Sequence, residues 1–233
     1  MSMKIHANAY PVPEGSAGNL KANVTFVLGD QIRVSGARLV EGEKGMFLAM
    51  PSYEKFDGTY QDICHATTKE FRDVLQQVAL QAYESDNHFW IKNGKTNPTI
   101  KAAMNEYVNE SRNVYGIGRM TFGGEFAIEG LQVKKVQEGE RAGKLFVAFP
   151  TDSYEKDGET KYRRIVEGKD VDTHGLMQNL ALKAYKEKVV EKEQAAEMGG
   201  KESVEEKVAE AQKKAEKPKE KKEAKKKEPE LVH

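Results

Sequence analysis

The stretch "GMFLAMPSYEKFDG", residues 45–58, recurs further along the chain as "GKLFVAFPTDSYEKDG", residues 143–158. Downstream of each phrase, "YQDICHATTKEFRDVLQQVALQAY" and "YRRIVEGKDVDTHGLMQNLALKAY" align without a gap. A repeat of this length indicates two copies of one supersecondary arrangement. The sequence therefore predicts a first copy at residues 1–85, a linker at 86–97, a second copy at 98–188 and a separate tail at 189–233.

Each copy shows the same order of patterns. Two β-branched segments are separated by "GD" in the first copy and by "GG" in the second, which is typical of a hairpin. The apolar run "MFLAMP" or "LFVAFP" follows and stops at proline. Because such a run needs both faces covered, we expect it at the centre of a sheet. A short strand near Tyr60 or Tyr162 and a helix complete the unit.

The last segment of each copy has the spacing of an amphipathic helix. In the first copy Thr67 or Thr68 is expected to cap it, and in the second copy Asp172. The apolar stripes consist of Phe71, Val74, Leu75, Val78, Ala79 and Ala82, and of Leu176, Met177, Leu180 and Ala184. The predicted fold class is α+β: two tandem copies of a small twisted antiparallel sheet with a C-terminal helix.

Composition separates these copies from the tail. Apolar residues make up only 38% of the 233 residues and charged residues 32%, and residues 189–233, rich in Lys and Glu, account for much of this balance. Such a segment buries too little to fold alone, so we expect a partly helical or disordered arm. The single cysteine and the lack of a long apolar run predict a cytoplasmic protein with no membrane partner.

No residue constellation favours catalysis. Cys64 and His65 are neighbours on an expected strand and point to opposite faces, so they do not form a nucleophile–base pair. The five histidines lack HxH or HxxxH spacing, and the glycines of "GIGRMTFGG" lack a phosphate-loop context. We therefore expect no enzyme activity, no metal and no cofactor.

Local positive charge is the remaining signal. The second copy concentrates cations after its apolar run, with further lysines in the preceding hairpin: Lys156, Lys161, Arg163, Arg164 and Lys169, then Lys134 and Lys135. If the two segments lie side by side, they form a basic patch that contacts phosphates, and Tyr154 and Tyr162 stack on unpaired bases. The alternative is an ordinary solvated rim, because exposed Lys and Arg are common.

The phrases "LVEGEKGMFLAMPS" and "DGTYQDICH" resemble the SpoVG family (stage V sporulation protein G, or septation protein). The resemblance covers most of the first copy and extends more loosely to the second through "LFVAFPT", "KDGE" and "YRRI". It implies a tandem version of a normally single-domain, dimeric protein that binds DNA, and in some cases RNA, as a regulator of the cell cycle. Two fused copies then pair within one chain, or the chain forms a homo-oligomer.

The binding residues that the resemblance implies transfer unevenly. Gln61 stands where the family has arginine, whereas Arg72 matches the arginine at the start of the helix. In the second copy Arg163 matches the family arginine and Arg164 replaces an aspartate. Nucleic-acid binding is therefore expected at the second copy. The alternative is an assembly scaffold in which the paired copies have weak nucleic-acid binding or none.

Overall fold

The structure is a computed structural model that describes residues 3–13, 18–55, 57–156 and 158–215. For Tyr154, Lys156 and residues 196–215 only the backbone is described. The chain divides into a compact unit that ends at Val189 and a second unit that begins at Val190. None of the described helices is long and apolar enough to cross a membrane.

The elements follow the order that the repeat predicts. The first half forms β1 (Ile5–Pro11), β2 (Leu20–Leu28), β3 (Ile32–Gly42), β4 (Gly45–Ala49), β5 (Ser52–Glu54), β6 (Tyr60–Asp62), β7 (Cys64–Ala66) and α1 (Lys69–Glu84). The rest forms β8 (His88–Ile91), β9 (Ile100–Asn109), a 3-10 turn (Glu110–Arg112), β10 (Val114–Phe122), β11 (Phe126–Lys135), β12 (Leu145–Ala148), β13 (Thr151–Lys156), β14 (Glu159–Arg164), β15 (Val166–Gly168) and α2 (Val171–Ala215). The predicted α+β class, with two antiparallel sheets each followed by a helix, is confirmed.

The two sheets exchange strands between the halves of the chain. The first has the order β15-β3-β2-β1-β8, with β4 also on β3, and the second has the order β12-β11-β10-β9, with β7 on β11. Ala66 of β7 lies opposite Phe126, and Gly168 of β15 lies opposite Ile32. Each sheet therefore contains one short strand contributed by the other half.

Hydrogen bonds beside the exchanged strands repeat the same geometry. The amide of Glu129 donates to the carbonyl of Ile63 at 2.8 Å, and the amide of Ser35 donates to the carbonyl of Ile165 at 2.8 Å. The buried apolar side chains of both sheets and both helices belong to one continuous core. Each half supplies a strand to the sheet of the other half. Neither half alone could therefore satisfy all the backbone hydrogen bonds of its sheet.

The predicted tight turns occur where the glycines stand. Gly29 and Asp30 have φ of 61° and 52°, and Gly123 and Gly124 have φ of 60° and 74°. Two consecutive residues with positive φ define the type I′ turn, whose twist matches that of the flanking strands. These turns fix the register of β2 on β3 and of β10 on β11.

The helix predictions are confirmed for α1 and corrected for α2. The Thr68 hydroxyl accepts a hydrogen bond from the amide of Phe71 at 3.2 Å, as expected of an N-cap. In α2 the cap is Asp170, which accepts from the amide of Thr173 at 2.7 Å, and not Asp172. The buried stripe of α2 is Met177, Ala181 and Tyr185, whereas Leu176 is exposed.

The expected central position of the apolar run is wrong. Both β4 and β12 lie at a sheet edge, because each pairs only with the preceding strand, β3 or β11. The outward side chain of Phe47 is covered in part by Gly42, where a Cβ would come within 3.1 Å of the ring. Gly42 of β3 thus leaves room for the Phe47 ring, which a neighbouring strand was expected to cover.

The predicted linker contains a strand, since β8 pairs with β1 in the order Ile5↔Ile91 to Asn8↔His88. The predicted tail is helical in its described part, because α2 continues to Ala215. Residues 216–233, which were also expected to belong to the arm, lie outside the described residues.

Candidate nucleic-acid interface

The hairpin of β13 and β14 carries most of the cations that the sequence singles out. Its register pairs Thr151 with Arg164, Asp152 with Arg163, and Tyr154 with Lys161. Because side chains alternate along a strand, Lys161 and Arg163 lie on one face of the hairpin and Tyr162 and Arg164 on the other. The expected cluster is therefore divided between two faces. For Lys156 only the backbone position in β13 is described.

Acidic partners neutralise one of these faces. Arg163 Nη2 lies 2.9 Å from Asp152 Oδ2, and Lys161 Nζ lies 3.9 Å from Glu159 Oε2. Arg163 also extends toward the first half, with Nη2 3.8 Å from the position that a Cβ would take at Gly36. Its guanidinium thus connects the hairpin to β3, and this structural contact competes with a role in ligand binding.

The opposite face is more open to a ligand. Tyr162 is 73% exposed, and Arg164 is exposed without an ion pair in the described part of the chain. Partial burial lowers the pKa of His174, and the positive charge of Arg164 lowers it further, while Glu167 acts in the opposite sense. Arg164 therefore lies within electrostatic range of the His174 imidazole and forms no ion pair among the described residues, so its charge is available to an anion.

The other predicted binding residues lie away from this face. Lys134 and Lys135 pair with Phe146 and Leu145, at the opposite end of β12 from the hairpin. The rest of β12 and the two residues that follow it separate Leu145 from the start of the hairpin at Thr151. Lys135 Nζ lies 3.9 Å from the centroid of the Tyr115 ring. Their role in binding stays a prediction, as does that of Arg72, which is exposed on α1.

The first copy has a matching hairpin with different charge. Tyr60 of β6 is exposed like Tyr162, but its hydroxyl donates to Glu54 at 3.4 Å, and that of Tyr53 donates to Gln61 at 3.1 Å. A groove of about 230 Å³ lies between the two hairpins and is lined from both halves by Gly36, Arg38, Pro51, Tyr53, Thr151 and Asp152. The hairpins are thus neighbours, and the difference between them is one of charge.

Cys64, the residue considered as a nucleophile, belongs to the core. Cys64 is buried in the exchanged strand β7, and burial raises the pKa of its thiol, with a smaller contribution from Asp62. Within the described residues, no three His, Cys, Asp or Glu side chains are grouped as metal ligands. The thiol is therefore a packing group in the core.

Sequence reasoning missed the outer face of the first sheet. Trp90 in β8 lies against His6, with ring centroids 4.4 Å apart. The sequence predicts a linker here, although the three consecutive β-prone residues Phe89, Trp90 and Ile91 are a weak signal of a strand. Lys92 Nζ lies 5.6 Å from the centroid of the same indole.

A pH titration of Trp90 is expected to report on His6. Burial lowers the pKa of His6 below 6.5, as does the nearby His88, while Asn8 and Asp30 raise it by less. A cationic imidazole in contact with indole quenches its fluorescence, so emission should fall as pH drops through a midpoint below 6.5. Since the unfolded chain takes up this proton first, stability should also decrease over the same range.

Two variants test this assignment. His6→Gln should remove the transition, whereas His88→Gln should keep it and move it to higher pH, because one source of repulsion is lost. A transition that persists in His6→Gln would contradict the assignment.

The fold and site define a class of small α+β proteins in which antiparallel sheets present charged hairpins. The family model SpoVG matches residues 4–85. The putative septation protein SpoVG of Lachnospira eligens is 43% identical over 67 residues, which cover 29% of this chain and 76% of that protein. The chain belongs to the SpoVG family.

Other relatives match the same part of the chain. The putative septation protein SpoVG of Archaeoglobus fulgidus is 37% identical over 67 residues, 29% of this chain and 79% of that protein. The Myxococcus xanthus protein of the same name is 35% identical over 79 residues, 34% of this chain and 77% of that protein. These matches concern the first copy, and the similarity of the two sheets suggests a second.

Proposed function

We propose that the protein is a non-enzymatic, nucleic-acid-binding regulator that contacts the phosphates of DNA or RNA mainly through the β13–β14 hairpin. The observation that carries this proposal is the open face of the hairpin, where Arg164 has no carboxylate partner among the described residues and shares the face with the exposed ring of Tyr162. A guanidinium supplies phosphate contacts and an adjacent aromatic ring accepts an unpaired base. Affinity that comes from phosphates falls steeply with salt.

We also propose that the duplication replaces a homodimer with an internal pair. The reciprocal ladders of β7 on β11 and β15 on β3 support this, because each copy covers an edge of the other. A fused pair allows its two binding surfaces to differ. This accounts for a hairpin of net negative charge in the first copy and a hairpin with four cations, balanced by four acidic residues, in the second.

Neutralising Arg164 is expected to weaken binding more than neutralising Arg163. Arg164→Gln should reduce affinity for a labelled duplex on the order of tenfold at low salt, and should lower the salt dependence by about one phosphate contact. Arg163→Gln should have a smaller effect, because Asp152 already neutralises that guanidinium. Fluorescence anisotropy with duplex DNA and duplex RNA at two salt concentrations measures both quantities.

Arg119→Gln is the matched control, because it removes the same charge from an exposed position on β10 of the second sheet. A chain ending at Lys188 should bind as the full chain does. Equal binding by the Arg164 variant and the control, or binding that requires residues after Lys188, would contradict the proposed interface.

An assembly scaffold is the second candidate function. The zero net charge and the ion pairs on one face of the hairpin favour it, since both reduce the attraction for a polyanion. The absence of duplex binding at low salt by the full chain would favour this second function over the first.

A further inference from the structure

The outer face of the six-stranded sheet, on the side away from the core, combines exposed aromatic rings with cations. The ladders place Trp90, His6, Val27, Arg33 and Glu167 in one row across β8, β1, β2, β3 and β15. A second row contains Tyr10, Asn23 and Arg38. Alternate residues of β1 (Ile5, Ala7 and Ala9) point into the core, so His6, Asn8 and Tyr10 face outward.

The aromatic rings have the exposure that stacking requires. Trp90 is 45% and Tyr10 is 56% exposed, on the same face of adjacent strands. Tyr10 is four positions along β1 from His6, the partner of Trp90, a distance of about 13 Å. The His6 ring lies against the indole at a tilt of 48°, and Lys92 Nζ lies 5.6 Å from the indole centroid. The two rings are thus far enough apart to receive different bases of one strand.

The charges of this face favour a polyanion. Arg33 is paired with Glu167 at 3.0 Å, and Lys21 is paired with Glu41. Arg38 is exposed in the row of Tyr10, and Lys92 is exposed beside Trp90. The row of Tyr10 and the surroundings of Trp90 therefore each hold one cation in addition to the two ion pairs.

This face is specific to one half of the chain. Its last strand, β8, lies beyond residues 4–85, where the family match ends. In the second sheet β9 is the edge strand, and its exposed alternate residues Lys101, Ala103, Asn105 and Tyr107 include one aromatic ring. The aromatic surface therefore depends on the segment that joins the two copies.

We propose that this sheet face binds single-stranded nucleic acid, with unpaired bases stacking on Trp90 and Tyr10 and phosphates contacting Arg38 and Lys92. The inference rests on the proposed function, nucleic-acid binding, and adds a second surface to it. A sheet face with exposed rings suits splayed bases, whereas the bases of a duplex are already stacked on one another. The hairpin then contacts phosphates of either form, and the sheet face selects unpaired segments.

The native fluorescence of the protein provides the first test, because Trp90 is its only tryptophan. The probe is oligo(dT) of roughly 16 nucleotides, about the length that one single-strand-binding surface covers. It should quench the emission of the full chain saturably at low salt. A duplex of equal length should bind without comparable quenching. Emission that changes with protein concentration in the absence of nucleic acid would identify the face as a contact between copies and overturn the proposal.

Variants give the second test by anisotropy with labelled oligo(dT). Tyr10→Ala and Trp90→Leu should each weaken binding by about tenfold, as expected for the loss of one stacked base. Both should leave duplex binding unchanged. Tyr10→Ala should disturb the fold less than Trp90→Leu, because β1 is paired on both sides and β8 is an edge strand. Tyr107→Ala is the control, since this ring is 48% exposed on β9 of the other sheet.

The outcomes separate the two proposals. Duplex binding without oligo(dT) quenching, or with oligo(dT) affinity unaffected by Tyr10→Ala, would overturn the sheet-face site and leave the proposed function intact. Failure to bind either form would overturn both. Quenching with selective loss in the two variants would support the stacking surface.

Discussion

A fragment of residues 1–97 is expected to elute as a dimer rather than as a folded monomer. It contains β1 to β8 and α1 but lacks β15, so the edge of β3 at Ile32–Val34 has no partner. It also carries β7, whose partner β11 is missing. In two fragments, β7 of one can occupy the place of β15 on the other, because both strands use the same type of antiparallel register.

Burial gives the physical reason for this dimer. Ile32 and Val34 are fully buried in the full chain, as is Cys64 of β7. A monomeric fragment would expose these side chains together with unpaired backbone groups, at a cost of about 25 cal/mol for each Å² of apolar surface. Exchange of β7 removes both costs. Light scattering after size exclusion, repeated over a range of concentrations, measures the mass.

Two substitutions in β7 control this experiment. Cys64→Val copies Val166, the aligned residue of β15, and should keep the dimer. Cys64→Asp places a charge in a buried strand and should prevent assembly. A compact fragment that stays monomeric and folded at all concentrations would count against strand exchange as the basis of the pairing.

Local signals in the sequence were sufficient for much of the fold. The "GD" and "GG" turns, the helix stripe of α1 and the order of elements depend on neighbouring residues, and these predictions are confirmed. The separation of β7 from β6 and of β15 from β14 was not predicted, because three-residue strands have little pattern and their partners lie in the other half. The sheet that each of these strands joins depends on tertiary pairing.

Predictions for the site were limited in the same way, because local sequence signals do not specify tertiary contacts. Basic residues between Lys156 and Arg164 were recognised, but period-two alternation on β14 divides them between two faces. An explicit strand assignment would have separated Lys161 and Arg163 from Arg164. The pairing of Arg163 with Asp152 crosses the hairpin, and its approach to Gly36 joins the two halves. Such contacts depend on the assembled fold.

Two core substitutions, one in each half, are expected to lower the stability of the whole compact unit. Phe26 on β2 and Phe122 on β10 are fully buried in the same continuous core. Phe26→Ala and Phe122→Ala should each reduce the free energy of unfolding by about 3–5 kcal/mol, through lost burial and the cavity left behind. This is a large share of the ~5–15 kcal/mol typical of folded domains.

The form of the transition distinguishes an internal pair from two independent domains. Because each sheet holds a strand of the other half, either substitution should shift one urea transition, observed equally by circular dichroism and by Trp90 fluorescence. Tyr60→Ala, at an exposed position on β6, should change stability by no more than about 0.5 kcal/mol. If Phe122→Ala instead produced a separate early transition that Trp90 in the first sheet did not detect, the halves would be folding units of their own and the exchanged strands would contribute little.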